Sequence, residues 1–259
     1  VFLKTGSNIL KLLIMRIRHL VFLLLLLQLN LKAETITVKQ DGSGDHISIQ
    51  LAINSASFFD TILVYPGTYY ENIVINTKSL HLASLALTTG DESYRNTTII
   101  DGSNQGSCIA LSSTNPDVET YIHGFTIKNG SGTYWESEEK TYGGGIFVDE
   151  ELFVSIENCI IKDNISNDWG GGICVIWFVK CEIKNCKIFN NKSLSGGGIG
   201  LGLYIQSYLE GNSIYGNHTS LGGGGLATGY QVDISFDSLN RCSIYDNFGA
   251  RGCDISKAI

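Results

Sequence analysis

The sequence predicts an all-β fold, a right-handed parallel β-helix of about 27 residues per coil. Three observations predict it. Ile161, Ile188, Ile214 and Ile244 each stand three residues before an Asn, at steps of 27, 26 and 30. The apolar residue that closes each glycine cluster, at Ile146, Ile173, Ile199, Leu226 and Ile255, recurs at steps of 27, 26, 27 and 29. Within each unit apolar residues alternate over short runs such as "CEIKNCKI" and "GGGIGLGL", bounded by Gly, Asn and Ser. That alternation belongs to half-buried strands. No unit from residue 141 onward carries helical periodicity, and a propeller blade would be longer, near 40–45 residues. A coil of three short strands and three turns remains, each coil rising by about 4.8 Å. Right-handed coiling follows the rule for parallel crossovers.

Stacking explains the repeated letters. Ile156, Ile183, Leu209 and Leu239 are expected to form one inward ladder, and Ile161, Ile188, Ile214 and Ile244 a second. Cys159, Cys186, Asn212 and Cys242 lie two residues before the second ladder and share its face. Asn164, Asn191, Asn217 and Asn247 are expected to form a structural ladder of amides at a turn, with the left-handed backbone that Asn tolerates. The glycine clusters at 143–145, 170–172, 196–198 and 222–225 permit close backbone approach. No helix follows any of them, which argues against phosphate cradling.

At the start, "MRIRHLVFLLLLLQLNLKA" has two Arg before a short apolar run and a small residue at Ala33, the pattern of a secretory signal. Residues 1–33 therefore read as an upstream extension plus signal peptide, with the start at Met15, and 34–259 as the β-helix domain. The run from Leu20 to Leu29 is too short to span a bilayer, so no transmembrane segment is expected in the mature chain. Removal of 33 residues leaves 226, with five fewer Lys/Arg and no fewer Asp/Glu. The formal charge moves from −7 to −12, which argues against nucleic acid and anionic membranes as partners.

The segment after the signal is not a repeat. Ile49, Ala52, Ile53 and Ala56 share one face of a short helix over 48–57, expected to cap the open end of the solenoid. At the other end the chain stops at "RGCDISKAI", in the position of a glycine-closed strand, so continuation beyond Ile259 is expected.

The stretch "DGSGDHISIQLAI…DTILVYPGTYYENIVI" resembles the opening of the pectin-lyase-like superfamily of right-handed β-helices. That superfamily includes pectate lyases, polygalacturonases, pectin methylesterases and members of no known activity. Gly67-Thr68-Tyr69-Tyr70-Glu71 is similar to the GxYxE segment of pectin methylesterases, which makes Glu71 a candidate catalytic residue by resemblance. The units "IxxN…GGGI" are similar to repeats of polymorphic outer-membrane proteins, bacterial surface adhesins. The enzymes' catalytic segments have no counterpart here. The mature chain has three Arg, and Asp163 and Asp246 share a turn position interrupted by Asn190 and Gly216.

One segment departs from the period. Ile127 to Ile161 spans 34 residues, and the extra length is "SGTYWESEEKTY", followed by "DEE" at 149–151. Loops on rigid scaffolds often carry function. Tyr134 and Trp135 offer a sugar-stacking surface, and Glu136, Glu138 and Glu139 suit Ca²⁺ as the one cofactor considered. The alternative is a solvated acidic loop with its aromatics folded onto the coil. The seven cysteines show no metal spacing and read mostly as buried thiols, and no metal site is expected from them. His123 reads as structural. Three of the five glycosylation-type sequons start at the ladder residues Asn164, Asn191 and Asn217.

The expectation is an exported protein, secreted or on a bacterial cell surface or outer membrane. It would be a non-catalytic binding, adhesin-type or structural module with an extracellular glycan or cell-envelope partner. The alternative is a relative of pectate lyases or pectin esterases acting on extracellular polysaccharide.

Overall fold

The computed structural model describes residues 14–18 and 33–257. The chain divides into two compact units, Val1–Glu34 and Thr35–Ile259. In the first, one helical turn at 14–18 is described; the signal-peptide reading otherwise lies outside the described residues. Among the described residues no helix is long and apolar enough to cross a membrane.

The second unit is a parallel β-helix. Three parallel sheets run its length, one of eight strands (A) and two of seven (B and C). Each coil visits A, B and C in turn, giving seven complete coils after the first strand Thr35–Val38. The register confirms the second inward ladder, with Ile161 beside Ile188, Ile188 beside Ile214 and Ile214 beside Ile244. It confirms Ile156, Ile183 and Leu209 in the first. Leu239 does not join them: Leu209 pairs with Phe236, and Leu239 is 96% exposed. The 30-residue step misled the count. Its extra residues form a turn at 237–240, where Asp237 Oδ1 accepts from the backbone N–H groups of Leu239 and Asn240 at 2.8 and 2.6 Å.

The capping helix spans Ile49–Ser55, with Ile49, Ala52 and Ile53 buried over the first coil. Charged side chains of the next coil hold both of its ends. The Glu71 carboxylate accepts from the N–H groups of Ile49 and Gln50 at 2.9 and 2.8 Å and from Ser48 Oγ at 3.0 Å. Lys78 Nζ donates to the carbonyls of Ile53 and Ala56 at 2.9 and 2.6 Å. Anion at the N-terminus and cation at the C-terminus complement the unpaired groups and dipole of a short helix.

The asparagine ladder is present and buried. Asn164, Asn191 and Asn217 are 0% exposed, and Asn247 5%. Each carboxamide donates to a main-chain carbonyl of the preceding coil; Asn191 Nδ2, for example, reaches Ile161 O at 2.9 Å. Each also donates to the next carboxamide, Asn164 to Asn191, Asn191 to Asn217 and Asn217 to Asn247 at 2.9–3.0 Å. Asp254 Oδ1 ends the series, accepting from Asn247 Nδ2 at 2.9 Å.

The left-handed residue is the one before the ladder, not the ladder Asn itself. Asp163, Asn190, Gly216 and Asp246 have φ of 57°, 56°, 61° and 52°. This corrects the expectation, and it explains the mixed letters there, because Asp, Asn and Gly are the residues that enter this region readily. The glycine clusters have a steric cause. A Cβ on Gly171 would lie 2.6 Å from the carbonyl oxygens of both Gly197 and Lys192.

All seven cysteines are free thiols; five are buried, Cys242 is half-buried and Cys253 exposed. Burial pushes the Cys186 thiol well above its ordinary range, and it donates to Lys184 O. His123 packs beside Glu157, its Nδ1 3.9 Å from a carboxylate oxygen.

Candidate functional site

The long fourth coil is long because it carries a hairpin on its outside. Gly132, at φ 86°, turns the chain outward. Thr133–Trp135 then pairs antiparallel with Lys140–Tyr142. The second strand is tied back where Asp168 accepts from Thr141 N–H at 2.8 Å. Trp135 meets Phe147 edge-on with ring centroids 5.8 Å apart, and Tyr142 stacks on the same ring. Ile146 and Val148 point into the solenoid, so Phe147 and Asp149 point out. Tyr142, Phe147, Cys174 and Ile176 form a second buried cluster on the outer face of sheet C, with Trp135, Trp169 and Trp177 packed against it.

Beyond this cluster the outer face of sheet C steps down. One outward column runs Phe147, Cys174, Gly200, Ala227. The next begins with Asp149 and Ile176 and continues past the strand ends to Gly202 and Gly229, whose N–H groups bond Val175 O and Leu201 O at 2.7 Å. Large side chains give way to bare backbone. A groove of about 210 Å³ results, bordered by Trp169, Trp177 and Leu203 and closed at one end by Glu138, Lys140 and Tyr142 of the hairpin. Two of the chain's three tryptophans line it, and the third, Trp135, packs against the adjoining cluster. Aromatic rings beside a flat floor, with a few polar groups at one end, make an arrangement that receives a ring-shaped, hydroxyl-bearing ligand.

Asp149 lies on this face between Ser112 and Ile176. It is 1% exposed, and its Oδ1 has no hydrogen-bond partner. Burial, reinforced by the nearby Glu150 and Glu138 charges, pushes its carboxyl from 3.8 up to about 7. The Tyr142 hydroxyl, raised chiefly by burial, donates to Glu138 Oε2, which also lies 3.5 Å from Lys140 Nζ. Burial also raises the Cys174 thiol.

The residues picked out in the sequence divide. Tyr134 is 60% exposed and points away from the cluster, whereas Trp135 is folded onto Phe147. Glu138 reaches the groove; Glu136 and Glu139 occupy the solvent-exposed hairpin turn, Glu139 with φ 54°. Among the described residues no three His, Cys, Asp or Glu side chains converge to hold a metal ion. Glu71 stands at the capping helix, both of its carboxylate oxygens engaged by that helix. Sequence reasoning missed Trp169, Trp177 and Asp149. A signal was there: "DWGGGICVIW" brackets one glycine cluster with two of the chain's three tryptophans, where no other coil carries more than one.

No family model matches the chain, and no curated protein matches it. Solved structures with similar folds do exist. Pectin methylesterases are among them. The carrot enzyme is 12% identical, with 86% of this chain and 88% of that one covered and a TM-score of 0.40. The Aspergillus niger enzyme is 15% identical, with 82% and 90% covered and a TM-score of 0.36. A pectin methylesterase mutant in complex with a hexasaccharide is 14% identical, with 85% and 70% covered and a TM-score of 0.41. What they share with this chain is the parallel β-helix, which rests here on the strand registers themselves.

Proposed function

We propose that this chain is an exported β-helix module that binds an extracellular or cell-envelope glycan in the groove on sheet C and does not cleave it. One observation carries the reading: two tryptophans, Trp169 and Trp177, border a glycine-floored groove that a hairpin closes at one end. Trp169 and Trp177 offer ring surfaces for stacking, and Glu138 and Lys140 offer an acceptor and a donor for sugar hydroxyls. The acidic charge of −7 disfavours nucleic acid. Export, to the medium or to a bacterial surface, rests on the signal-like start. Sequencing the N-terminus of secreted protein tests it, with a new terminus at Glu34 expected and an uncleaved one contradicting it.

The test of binding is calorimetric titration with a panel of plant and bacterial oligosaccharides, against wild type and Trp169→Ala. Saturable binding that Trp169→Ala weakens at least tenfold supports the groove. The groove is removed if every oligosaccharide that binds is indifferent to that change.

The second reading, a carbohydrate esterase or lyase, is favoured by Asp149. A buried carboxyl that keeps its proton to about pH 7 is suited to general acid catalysis. Methanol released from methylesterified pectin, or unsaturated product absorbing in the ultraviolet, would establish it if Asp149→Asn abolished the signal. No product in either assay leaves the binding module.

A further inference from the structure

We infer a second ligand surface, on the corner where sheet C passes into sheet A, shaped for a neutral, hydroxyl-rich oligosaccharide lying along the solenoid axis. It stands on a different face from the groove and does not rest on it.

Two rows of side chains in register build this surface. Phe178, Tyr204 and Gln231 occupy equivalent corner positions, linked by backbone bonds from Phe178 N to Leu203 O and from Tyr204 N to Tyr230 O. All three have left-handed backbone, at φ 59°, 58° and 52°, and Trp177 beside them has 61°. Bulky aromatic residues rarely enter that region. Here the conformation lets the next residues, Val179 and Ile205, bury completely while the aromatic side chains turn outward. Phe178, Tyr204 and the neighbouring Tyr230 are 54%, 42% and 60% exposed. Phe178 and Tyr204 stack at 4.7 Å with planes 3° apart, and Tyr230 meets Tyr204 edge-on at 6.1 Å. None of these rings contributes to the core, so packing gives no reason for aromatic residues at two successive corners and beside the third.

The second row lies two residues further on. Lys180 pairs with Gln206 in register, and Gln206 with Asp233. Each is exposed, and none of the three side chains makes a hydrogen bond or ion pair within the described residues. Lysine, glutamine and aspartate side by side offer donors, a mixed amide and an acceptor over about 10 Å of axis. The two rows enclose a hollow of about 350 Å³. It continues on the sheet A face past Tyr208 and Phe153.

Charge selects the ligand. The polar row sums to zero, and Glu150 and Glu151 stand at its N-terminal end beside Phe178. A polyanionic chain would meet acidic groups at both ends, whereas a neutral sugar chain finds rings for its apolar faces and unpaired polar groups for its hydroxyls. Trp177 stands between the sheet C groove and a separate small hollow that it lines with Glu150, Glu151 and Phe178.

The experiment is calorimetric titration of the whole chain with hexaoses of β-1,4-glucan, β-1,4-mannan, β-1,4-xylan and β-1,3-glucan, and with hexagalacturonate. At least one neutral hexaose is expected to bind ten times more tightly than hexagalacturonate. Tyr204→Ala and Gln206→Ala, both exposed changes, are expected to weaken it tenfold or more with unaltered melting temperature. Trp169→Ala is expected to leave that binding within twofold. Failure of every neutral hexaose to bind overturns the proposal, as does preference for hexagalacturonate. Loss with Trp169→Ala but not with Tyr204→Ala also overturns it, while leaving the groove reading intact.

Discussion

The turn that carries Asn164, Asn191, Asn217 and Asn247 and the face that carries Trp169, Trp177 and Asp149 belong to the same stretch of solenoid and follow opposite rules. At the turn every coil repeats one chemistry, every carboxamide is buried, and Asn164, Asn191 and Asn217 each find partners in the coils before and after. On the face successive coils differ: Phe147, Cys174, Gly200 and Ala227 share one column and no two are alike. The orphaned oxygen of Asp149 sits there rather than in the ladder. A solenoid is stabilised by what each coil does to its neighbour, so repetition marks the fold and departure from it marks the surface available for binding.

The largest effect expected to expose this contrast is at the ladder. Asn191→Leu removes the acceptor of Asn164 N–H and Nδ2 and the donor to Ile161 O and Asn217 Oδ1, all buried. Unsatisfied buried groups of this kind are expected to cost about 3–5 kcal/mol together. Chemical denaturation checks it, and a loss under about 1 kcal/mol would mean that water substitutes for the amide. Next is Gly171→Ala, whose Cβ would press on two backbone carbonyls at 2.6 Å. It should destabilise by about 2–4 kcal/mol; a melting temperature equal to wild type would show that the coils part without strain.

The face should answer in the other direction. Asp149 ionises at about 7 in the fold, above its ordinary 3.8. Its neutral form therefore contributes stability that is complete below about pH 4 and lost as pH rises through about 7. Asp149→Asn is expected to change little at pH 4 and to stabilise by about 1–3 kcal/mol at pH 8. Thermal melts at both values check it, and an equal shift at both would mean that Asp149 is ionised throughout. The smallest effect is expected at Tyr134→Ala. Its ring is 60% exposed and outside the cluster, so the melting temperature should move by less than about 0.5 kcal/mol in equivalent stability.

The same contrast decides what could be read in advance. The period, the inward isoleucines, the capping helix and the asparagine ladder were legible because each is a local pattern written several times. The Leu239 error came from the one step whose surplus residues form their own turn, which a count of residues cannot separate from a strand. The long coil was recognised as the place to look. Its contents were not, because whether Trp135 folds inward and Tyr134 outward depends on Phe147, placed by a different strand. Asp149 looked like one member of an acidic run. Only the sheet register sets it beside Ile176 and out of water, and that burial changes its chemistry.

The most direct test of the account is intrinsic tryptophan fluorescence during oligosaccharide titration, because Trp169 and Trp177 border the groove and Trp135 packs against the cluster beside it. The prediction is a saturable change in intensity or emission maximum with at least one oligosaccharide, lost in Trp169→Ala and retained in Tyr134→Ala. Absence of a tryptophan response with every oligosaccharide that binds by calorimetry, or a response that survives Trp169→Ala unchanged, would contradict it.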